Sequence, residues 1–294
     1  MNSASRQPTG VPRVALLTVS YGSENVLGEF LKSVPEASSQ PLAVVIADNK
    51  PEPSGLVKSM ADQSGATWVP LPQNLGYGGA INATAADLPS TVDWILVSNP
   101  DVSLRPGVID QLVAAGDADD TIGTVGPAIL TAEGDVYPSA RAVPSLRTGV
   151  GHALLTNLWV GNPWSRAYRN EHEQVTARRD VGWLSGACVL VRKTVFDQLN
   201  GFDSGYFMYF EDVDLGYRVG KAGYRNLYEP AAVVVHTGAH STTADSARMI
   251  RAHHDSAIRF LDRKYAGPWM LPVRFALRTG LGVRSWIVRR NLDK

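Results

Sequence analysis

Nearly uninterrupted apolar runs recur along the first third of the chain, and each is followed by an amphipathic or polar segment. The runs Val14–Ser20, Leu42–Ala47 and Trp94–Ser98 have the length of strands. The segments Val26–Val34 and Leu56–Gln63 have the spacing of amphipathic helices. Strands that are apolar on both sides belong to a sheet covered on both faces. The alternation therefore predicts an α/β fold with a mostly parallel central sheet and helices on both faces.

Further elements follow from the same patterns. The sequence predicts a third strand at Thr67–Leu71, helices at Ala80–Ala86 and Pro106–Ala115, a bent strand or strand pair at Val181–Arg192, a short helix from Thr194, and helices at Asp245–Tyr265 and Pro272–Arg290. The segment Ala153–Arg169 carries aromatic residues among Asn and Pro, so it is predicted to form an irregular, substrate-facing lid.

The cysteine content and the apolar runs exclude several classes of protein. With Cys188 as its single cysteine, the chain forms neither an intramolecular disulfide scaffold nor a thiolate zinc cluster. Cys188 lies in an apolar run, which favours a buried thiol over a nucleophile. The polar N-terminus predicts no signal peptide, and no apolar run approaches the roughly 18 residues of a membrane-spanning helix.

The charges are unevenly distributed along the chain. Lys and Arg total 28, as do Asp and Glu, but from Arg248 onward 11 Lys and Arg face three Asp. Such a basic end is typical of a segment that meets an anionic surface, although a solvated helix is an equally good explanation. Nucleic-acid binding is disfavoured because no stacking platform or known motif accompanies the basic residues.

Acidic residues follow several of the predicted strands. Asp48 ends the second strand, Asp101 follows the strand at Trp94–Ser98, and Glu211–Asp212 precedes an amphipathic segment. Each alone is explained by helix capping. Together they point to a ligand site, because open parallel sheets bind ligands at the carboxyl ends of their strands.

The glycine pattern excludes a dinucleotide-binding or P-loop protein. The first strand runs into Ser20 and Tyr21 without a glycine-rich phosphate turn. A glycine-rich turn comes later, at Gly76–Gly79, where it opens a helix. That turn either accepts a phosphate group or is a tight turn, and the sequence leaves both open.

Two pairs of residues have the chemistry of a transfer site. Asp101 offers hard carboxylate oxygens suited to Mg²⁺ or Mn²⁺, and His236, at the end of an apolar strand, is a second possible ligand or a structural histidine. The Glu211–Asp212 pair is flanked by aromatic residues, which partly desolvate a carboxylate and raise its pKa, as a general base requires.

With these residues in this order, the chain resembles the family-2 glycosyltransferases of the GT-A fold over roughly residues 14–240. The signatures are VSYGS, IADN, NLGYGGAIN, SNPDV, GWLSGACVLVRK, GFDSGYFMYFEDVDLGYR and VVVH. The NPDV and FMYFEDVDL forms look like the rhamnosyltransferase branch of the family. That branch implies dTDP-L-rhamnose as donor, a polyprenyl (decaprenyl)-diphospho-N-acetylglucosamine acceptor in arabinogalactan linker synthesis, and Mg²⁺ or Mn²⁺ as cofactor.

The resemblance also implies roles for individual residues. Asp212 would be the base in an inverting single displacement, with Glu211 beside it positioning sugar or acceptor, and Asp101 and His236 would hold the metal. The remaining implied site residues bind the nucleotide-sugar, namely Ser20, Tyr21, Asp48, Asn74, Gly76, Gly78 and Asn99, or lie on the acceptor side, namely Trp183 and Gly186. Asn99 stands where the family's metal motif has Asp, so metal binding is weaker or dispensable.

The implied organisation is a disordered tail at 1–12, a catalytic domain at 13–244 and basic amphipathic helices at 245–294. The catalytic domain comprises a nucleotide-binding half, 13–130, and an acceptor-side half, 131–244. A basic amphipathic helix with Trp286 lies at a membrane interface, packs on the body or forms a dimer interface, so a homo-oligomer stays open. Because the acceptor is a polyprenyl lipid, we expect a cytoplasmic protein peripheral to the plasma membrane.

Two other functions stay open at this point. One is a UDP-sugar-dependent transferase of the same fold from another glycolipid or capsule pathway. The other is a non-catalytic nucleotide-sugar-binding scaffold, which the presence of Asp101, Asp212 and His236 disfavours.

Overall fold

The computed structural model describes residues 10–145, 176–238 and 246–280. Its strands are β1 Val14–Ser20, β2 Leu42–Asp48, β3 Thr67–Pro70, β4 Trp94–Ser98, β5 Val102–Leu104, β6 Ile122–Leu130, β7 Val136–Tyr137, β8 Ala140–Arg141, β9 Arg179–Val181, β10 Trp183–Leu184, β11 Cys188–Arg192 and β12 Arg225–His236. Its helices are α1 Glu24–Ala37, α2 Leu56–Ser64, α3 Gly76–Ala85, α4 Val108–Asp117, α5 Lys193–Gln198, α6 Glu211–Lys221 and α7 Ser246–Lys264. A 3₁₀ turn, Pro268–Met270, follows, and residues 271–280 are helical.

The central sheet has the strand order β3-β2-β1-β4-β11-β6-β12-β5. Strands β3, β2, β1 and β4 are mutually parallel, and β12 is parallel to β6. Strand β11 is antiparallel to both β4 and β6, and β5 is antiparallel to β12. A separate pair, β8 with β10, lies off this sheet. The sheet is therefore mixed, with a parallel half formed by β3, β2, β1 and β4.

Alternation along the strands divides the core into two layers. On β1, Val14 and Leu16 belong to the cluster that includes Phe30 of α1, while Ala15 and Leu17 face the opposite cluster. All four β1 side chains are nearly or fully buried. Both faces of β1 are thus covered by helices, as the continuous apolar runs predict.

The observed elements agree closely with the predicted ones in the first half of the chain. The third helix begins earlier than predicted, at Gly76 instead of Ala80. The predicted strand pair at Val181–Arg192 is three short strands, because β10 leaves the main sheet to pair with β8. The predicted lid at 153–169 and the later part of the helix predicted at Pro272–Arg290 lie outside the described residues.

Cys188 is a buried core residue. It is 1% exposed, and burial raises the pKa of its thiol to about 12, so the thiol stays protonated at neutral pH. The prediction of an inert buried thiol is confirmed. No helix among the described residues is long and apolar enough to cross a bilayer.

Candidate active site

Two of the residues predicted to bind the nucleotide-sugar lie together where the parallel strands end. Ser20 and Asp48 are register partners at the ends of β1 and β2. Asp48 is 1% exposed, and its carboxylate accepts hydrogen bonds from the Trp68 indole at 3.1 Å and the Lys50 amide at 3.1 Å. Tyr21, by contrast, is exposed. Asp48 is therefore fixed in orientation at the edge where the α/β architecture binds ligands.

The glycine-rich turn between β3 and α3 is shaped by close packing. Gly76 has a φ of +73°, and a Cβ there would lie 2.0 Å from the Phe207 carbonyl oxygen. The Gly76 amide donates to Asn74 Oδ1 at 2.9 Å, and the Gly76 carbonyl accepts from Asn49 Nδ2 at 3.0 Å. A Cβ at Gly78 would lie 2.8 Å from Cβ of Phe202. These glycines let the turn before α3 pack directly against the segment that leads into α6.

Asp101 and His236 come together as the sequence predicts. His236 pairs with Val102 across β12 and β5, which places its Nε2 3.0 Å from Asp101 Oδ1. The Asp101 carbonyl accepts from both the amide and the hydroxyl of Thr237 at 3.1 Å, so the turn is held from two sides. Both side chains retain slight exposure, 8% for Asp101 and 20% for His236.

A carboxylate and an imidazole at this distance fit a divalent cation that completes its coordination with substrate phosphate and water. The described residues contain no cluster of three or more His, Cys, Asp or Glu side chains that would enclose an ion by itself. The pair alone would offer two protein ligands, and the other coordination positions of an ion would fall to other groups.

Asp212 lies in the first turn of α6 and is held by two backbone amides. Gly186 donates to its Oδ2 at 2.9 Å, and Val213 donates to its Oδ1 at 2.8 Å. Burial raises the pKa of Asp212, and these amide bonds and the positive charge of Arg141 oppose the rise. The carboxylate is therefore oriented, partly desolvated and more basic than an ordinary Asp.

Glu211 lies beside Asp212 in a more buried position. It is 7% exposed, and its Oε2 has no hydrogen-bond partner within the described residues. Burial, followed by repulsion from Asp212, raises the pKa of Glu211 to about 8. The two neighbouring carboxyl groups therefore resist carrying two negative charges together, and the buried Glu211 retains its proton at neutral pH.

The turn that carries Asp101 and the carboxylate of Asp212 are joined through one short segment. The Asn99 amide donates to the Ala187 carbonyl at 2.9 Å, directly after Gly186, which contacts Asp212. Tyr77 donates its hydroxyl to the Gly186 carbonyl at 2.8 Å. The structure thus brings the predicted residues Asn99, Gly186 and Asp212 into one site.

Arg141 and Tyr77 are site residues that the pattern of strand-end acids does not reveal. Arg141 is the register partner of Trp183 across β8 and β10, and its guanidinium lies 5.9 Å from the Trp183 ring centroid. Its Nε donates to the Pro138 carbonyl at 2.7 Å, which fixes the side chain near Asp212. No local signal marks Arg141, because β8 is two residues long and pairs with a distant segment.

Trp183, predicted on the acceptor side, is pressed against α6. Its indole donates to the Ala142 carbonyl at 3.1 Å. A Cβ at Gly216 would lie 2.5 Å from Cβ of Trp183, so only glycine permits this approach. The small sheet β8–β10 is thereby held beside the first turn of α6, where Asp212 lies.

The aromatic residues predicted to flank the acidic pair make several different contacts. The Tyr206 hydroxyl contacts Asp214, at 3.4 Å, instead of Asp212. The rings of Tyr209 and Phe210 lie against His253 of α7. Burial, followed by the charge of Glu211, raises the pKa of Tyr209, and burial also raises the pKa of Asp212.

The family of the chain follows from comparison with known proteins. A family model described as "Glycosyltransferase like family 2" matches residues 12–254. The chain belongs to this family. The match spans every site residue discussed above, and the resemblance drawn from the sequence motifs is confirmed.

Individual relatives agree with this assignment. The chain is 42% identical, over 94% of its length and 92% of the relative's, to the N-acetylglucosaminyl-diphospho-decaprenol L-rhamnosyltransferase of Mycobacterium tuberculosis. It is 26% identical to the rhamnosyltransferase WbbL of Escherichia coli K12, over 85% of this chain and 93% of WbbL. These relatives are enzymes, as the sequence predicts for this chain.

A solved structure with a similar fold is the mannosyltransferase PcManGT from Pyrobaculum calidifontis, in complex with GDP-Man and Mn²⁺. The match has a TM-score of 0.58 at 17% identity and covers 92% of this chain and 70% of the mannosyltransferase. At this identity the likeness concerns the fold. The prediction of a GT-A fold with a mostly parallel central sheet is confirmed.

Proposed function

We propose that this protein transfers L-rhamnose from dTDP-L-rhamnose to polyprenyl (decaprenyl)-diphospho-N-acetylglucosamine, with inversion at the anomeric carbon. The observation that carries the proposal is the 42% identity, over nearly the whole of both chains, to an enzyme named for that transfer. The arrangement of Asp101, His236 and Asp212 at one edge of the sheet supports it, because a transferase needs a diphosphate site next to a base.

The proposed reaction is a single displacement. The acceptor hydroxyl oxygen attacks the anomeric carbon of rhamnose from the side opposite the diphosphate. The new C–O bond forms as the bond to dTDP breaks, the electron pair leaves with dTDP, and the hydroxyl proton passes to Asp212. The two amides that hold Asp212 orient one lone pair of each oxygen and leave others for the acceptor. General-base assistance of this kind contributes typically ~10²–10⁴-fold.

The donor would be held by residues on both sides of the parallel strand ends. Asp48, with Ser20 and Tyr21, would recognise the base or ribose, and its fixed orientation suits that role. Asn74, Gly76 and Gly78 would shape the adjoining wall. Asn99 would contact the diphosphate, since it lies in the turn before Asp101 and its amide is bonded to the Ala187 carbonyl.

Asp101 and His236 are the residues that would hold a divalent cation, Mg²⁺ or Mn²⁺. Such a cation supplies positive charge where the diphosphate leaves. The Mn²⁺ in the related mannosyltransferase fold supports this assignment. The imidazole ligand favours Mn²⁺, which accepts nitrogen more readily than Mg²⁺ does.

On the acceptor side, Trp183 would stack on the N-acetylglucosamine ring, with Gly186 leaving space beside Asp212. Glu211, protonated at neutral pH, would donate a hydrogen bond from its unpartnered carboxyl to sugar or acceptor. Arg141 carries a positive charge to the same place, which suits an anionic acceptor.

The acceptor is a membrane lipid, so we propose that the protein works at the cytoplasmic face of the plasma membrane. Three large apolar side chains after α7 are strongly exposed, namely Trp269 at 80%, Leu271 at 57% and Phe275 at 74%. Exposed aromatic residues next to basic ones suit insertion into an anionic membrane interface.

A flotation assay with anionic liposomes tests this part of the proposal. The double variant Trp269→Ala/Phe275→Ala should lose most of its binding, whereas Leu56→Ala, at another exposed apolar position on α2, should bind like the wild type. Equal binding by both variants would reject the apolar patch as the membrane contact.

A donor panel tests the proposed reaction. Labelled sugar transfer to polyprenyl-diphospho-N-acetylglucosamine is measured with dTDP-L-rhamnose and with UDP-sugars in the presence of Mn²⁺. Product from dTDP-L-rhamnose alone supports the proposal, while product from a UDP-sugar alone would overturn the donor assignment and keep the family.

A further inference from the structure

Two consecutive residues directly before the acidic pair have an unfavourable backbone. Tyr209 and Phe210 have φ values of 67° and 66°, in the left-handed region that favours glycine. Phe210 is the N-cap of α6, so this turn sets the direction in which Glu211 and Asp212 leave the loop. Non-glycine residues stay in this region only where neighbouring structure holds them, and such sites cluster in active sites.

The neighbouring structure that holds this turn is α7. Ser256 donates its hydroxyl to the Met208 carbonyl at 2.8 Å. The His253 ring centroid lies 5.5 Å from that of Tyr209 and 5.3 Å from that of Phe210. Three successive residues of the turn, 208–210, are therefore contacted by one face of α7.

Aromatic packing continues this contact onto α6 itself. Phe260 of α7 is fully buried, with its ring centroid 5.8 Å from Phe210 and 5.8 Å from Tyr217. A single side chain thus packs against both the turn and the second turn of α6, which fixes the angle between them.

Ion pairs connect α7 to both ends of the segment 203–214. Asp214, in the first turn of α6, is fully buried and accepts from Arg218 Nε at 2.6 Å, and Arg263 of α7 lies 3.3 Å from its Oδ1. Arg263 also pairs with Asp203, to which Arg259 Nη2 donates at 2.8 Å. Two arginines of α7 therefore fasten the 203–214 segment at its beginning and its end.

The arginines in these ion pairs belong to the basic segment from Arg248 onward, which the sequence predicts to meet an anionic surface or to form a solvated helix. Arg259 and Arg263 face Asp203 and Asp214, and the Lys264 ammonium donates to the Pro144 carbonyl. These basic residues of α7 thus bind to other elements of the same chain. The exposed apolar residues, beginning with Trp269, lie after α7.

We propose that α7 is a positioning element for the catalytic base. It holds the 208–210 turn in its left-handed conformation and so places Asp212 against the Gly186 amide, although Ser256, Phe260 and Arg263 themselves touch no reacting atom. The inference rests on the proposed function, because it takes Asp212 as the base. In this way α7, near the C-terminal end of the region that the family model matches, affects the reaction by fixing the backbone of residues 208–210.

Steady-state kinetics of the full-length protein test this inference with Ser256→Ala and Arg263→Gln. We expect kcat to fall about 10-fold to 100-fold while the Kd for dTDP, measured by calorimetry, stays unchanged, because Asp48, the proposed nucleotide-binding acid, is held by Lys50 and Trp68. Arg263→Lys, which retains the charge, should recover part of kcat. Arg251→Ala is the matched control, since Arg251 lies on the exposed side of α7 and pairs only with Asp255 among the described residues.

A double-variant comparison separates positioning from general loss of structure. If α7 acts through Asp212, then Ser256→Ala should lower the residual activity of Asp212→Asn by less than 2-fold. A wild-type kcat in Ser256→Ala and Arg263→Gln, or losses that multiply fully with Asp212→Asn, would overturn the positioning role. A fully active Asp212→Asn would instead reject the proposed base, so the two failures are distinguishable.

Discussion

The amide of Gly186 donates a hydrogen bond of 2.9 Å to Oδ2 of Asp212, across 26 residues of chain. Because the carbonyl of the next residue, Ala187, accepts a hydrogen bond from the Asn99 amide, this segment links the proposed base to the turn that carries Asp101. In the proposed reaction, the distance between the base and the diphosphate would therefore be set by backbone hydrogen bonds.

Substitution of Gly186 should raise the KM for the acceptor without lowering the stability of the fold. A Cβ at this position would lie 3.4 Å from Asp212 Cβ and 3.6 Å from its Oδ2, both ordinary contact distances, and the residue does not have a positive φ. The methyl group would cover one side of the carboxylate. For Gly186→Ala we expect an acceptor KM raised about 10-fold with an unchanged melting temperature.

Gly76→Ala provides the contrasting case. There the methyl group would meet the Phe207 carbonyl at 2.0 Å in a left-handed conformation, so we expect a loss of about 2–4 kcal/mol in the free energy of unfolding, measured by urea denaturation. An equally stable Gly76→Ala protein would contradict the packing described for this turn.

Removal of the positive charge beside the base should move the pH profile. Arg141 lowers the pKa of Asp212, so Arg141→Gln should raise it and shift the acidic limb of kcat/KM upward by about 0.5–1 pH unit. The limb itself should lie above the range of an ordinary Asp, because burial raises the pKa of Asp212. A downward shift would show that Arg141 does not act on this carboxylate.

Much of the fold and part of the site can be predicted from local sequence. Asp48 and Asp101 stand directly after apolar strands, and the sheet geometry alone brings them to one edge. The pairing of Asp101 with His236 also follows, since each ends or follows a strand. These predictions succeed because they depend on periods of two and 3.6 residues and on the rule for strand ends.

The acceptor half is less predictable because its contacts are non-local. Arg141 reaches Asp212 only through the pairing of β8 with β10, two strands of two residues each. Tyr209 and Phe210 have left-handed backbone conformations although neither is glycine, so no local sequence signal marks this turn. Their conformation is imposed by α7, more than 35 residues further along the chain, so no window of local sequence contains the cause.

Glu211→Gln should stabilise the protein increasingly as the pH rises. The folded-state pKa of Glu211 lies near 8, above its ordinary value of 4.5, so the folded state binds more protons than the unfolded state between these values. Wild-type stability therefore falls from pH 4.5 to pH 8, and the glutamine variant lacks this loss. We expect the variant to be more stable by roughly 1–3 kcal/mol at pH 8 and similar near pH 4.5.

Thermal or urea denaturation at several pH values measures this difference. Glu29→Gln is a suitable control, since Glu29 is exposed on α1. If the stability difference between the Glu211 variant and the wild type did not grow with pH, Glu211 would not be protonated in the folded protein.

The divalent cation should be held mainly through Asp101. We expect EDTA to abolish transfer, Mn²⁺ to restore it, and Asp101→Asn to raise the Mn²⁺ concentration at half activity at least about 10-fold, because one of two protein ligands loses its charge. Asp62→Asn, at an exposed position on α2, should titrate like the wild type. Full activity in EDTA would assign the Asp101–His236 pair a structural role.

The central claim is that Asp212 takes the proton from the acceptor hydroxyl. Single-turnover transfer from dTDP-L-rhamnose by Asp212→Asn, with dTDP binding measured on the same preparation, tests it most directly. The account predicts a rate lowered by ~10²–10⁴-fold at unchanged dTDP affinity, because the amide retains the shape and loses the basicity. A rate within a few-fold of the wild type would contradict the assignment of Asp212 as the base.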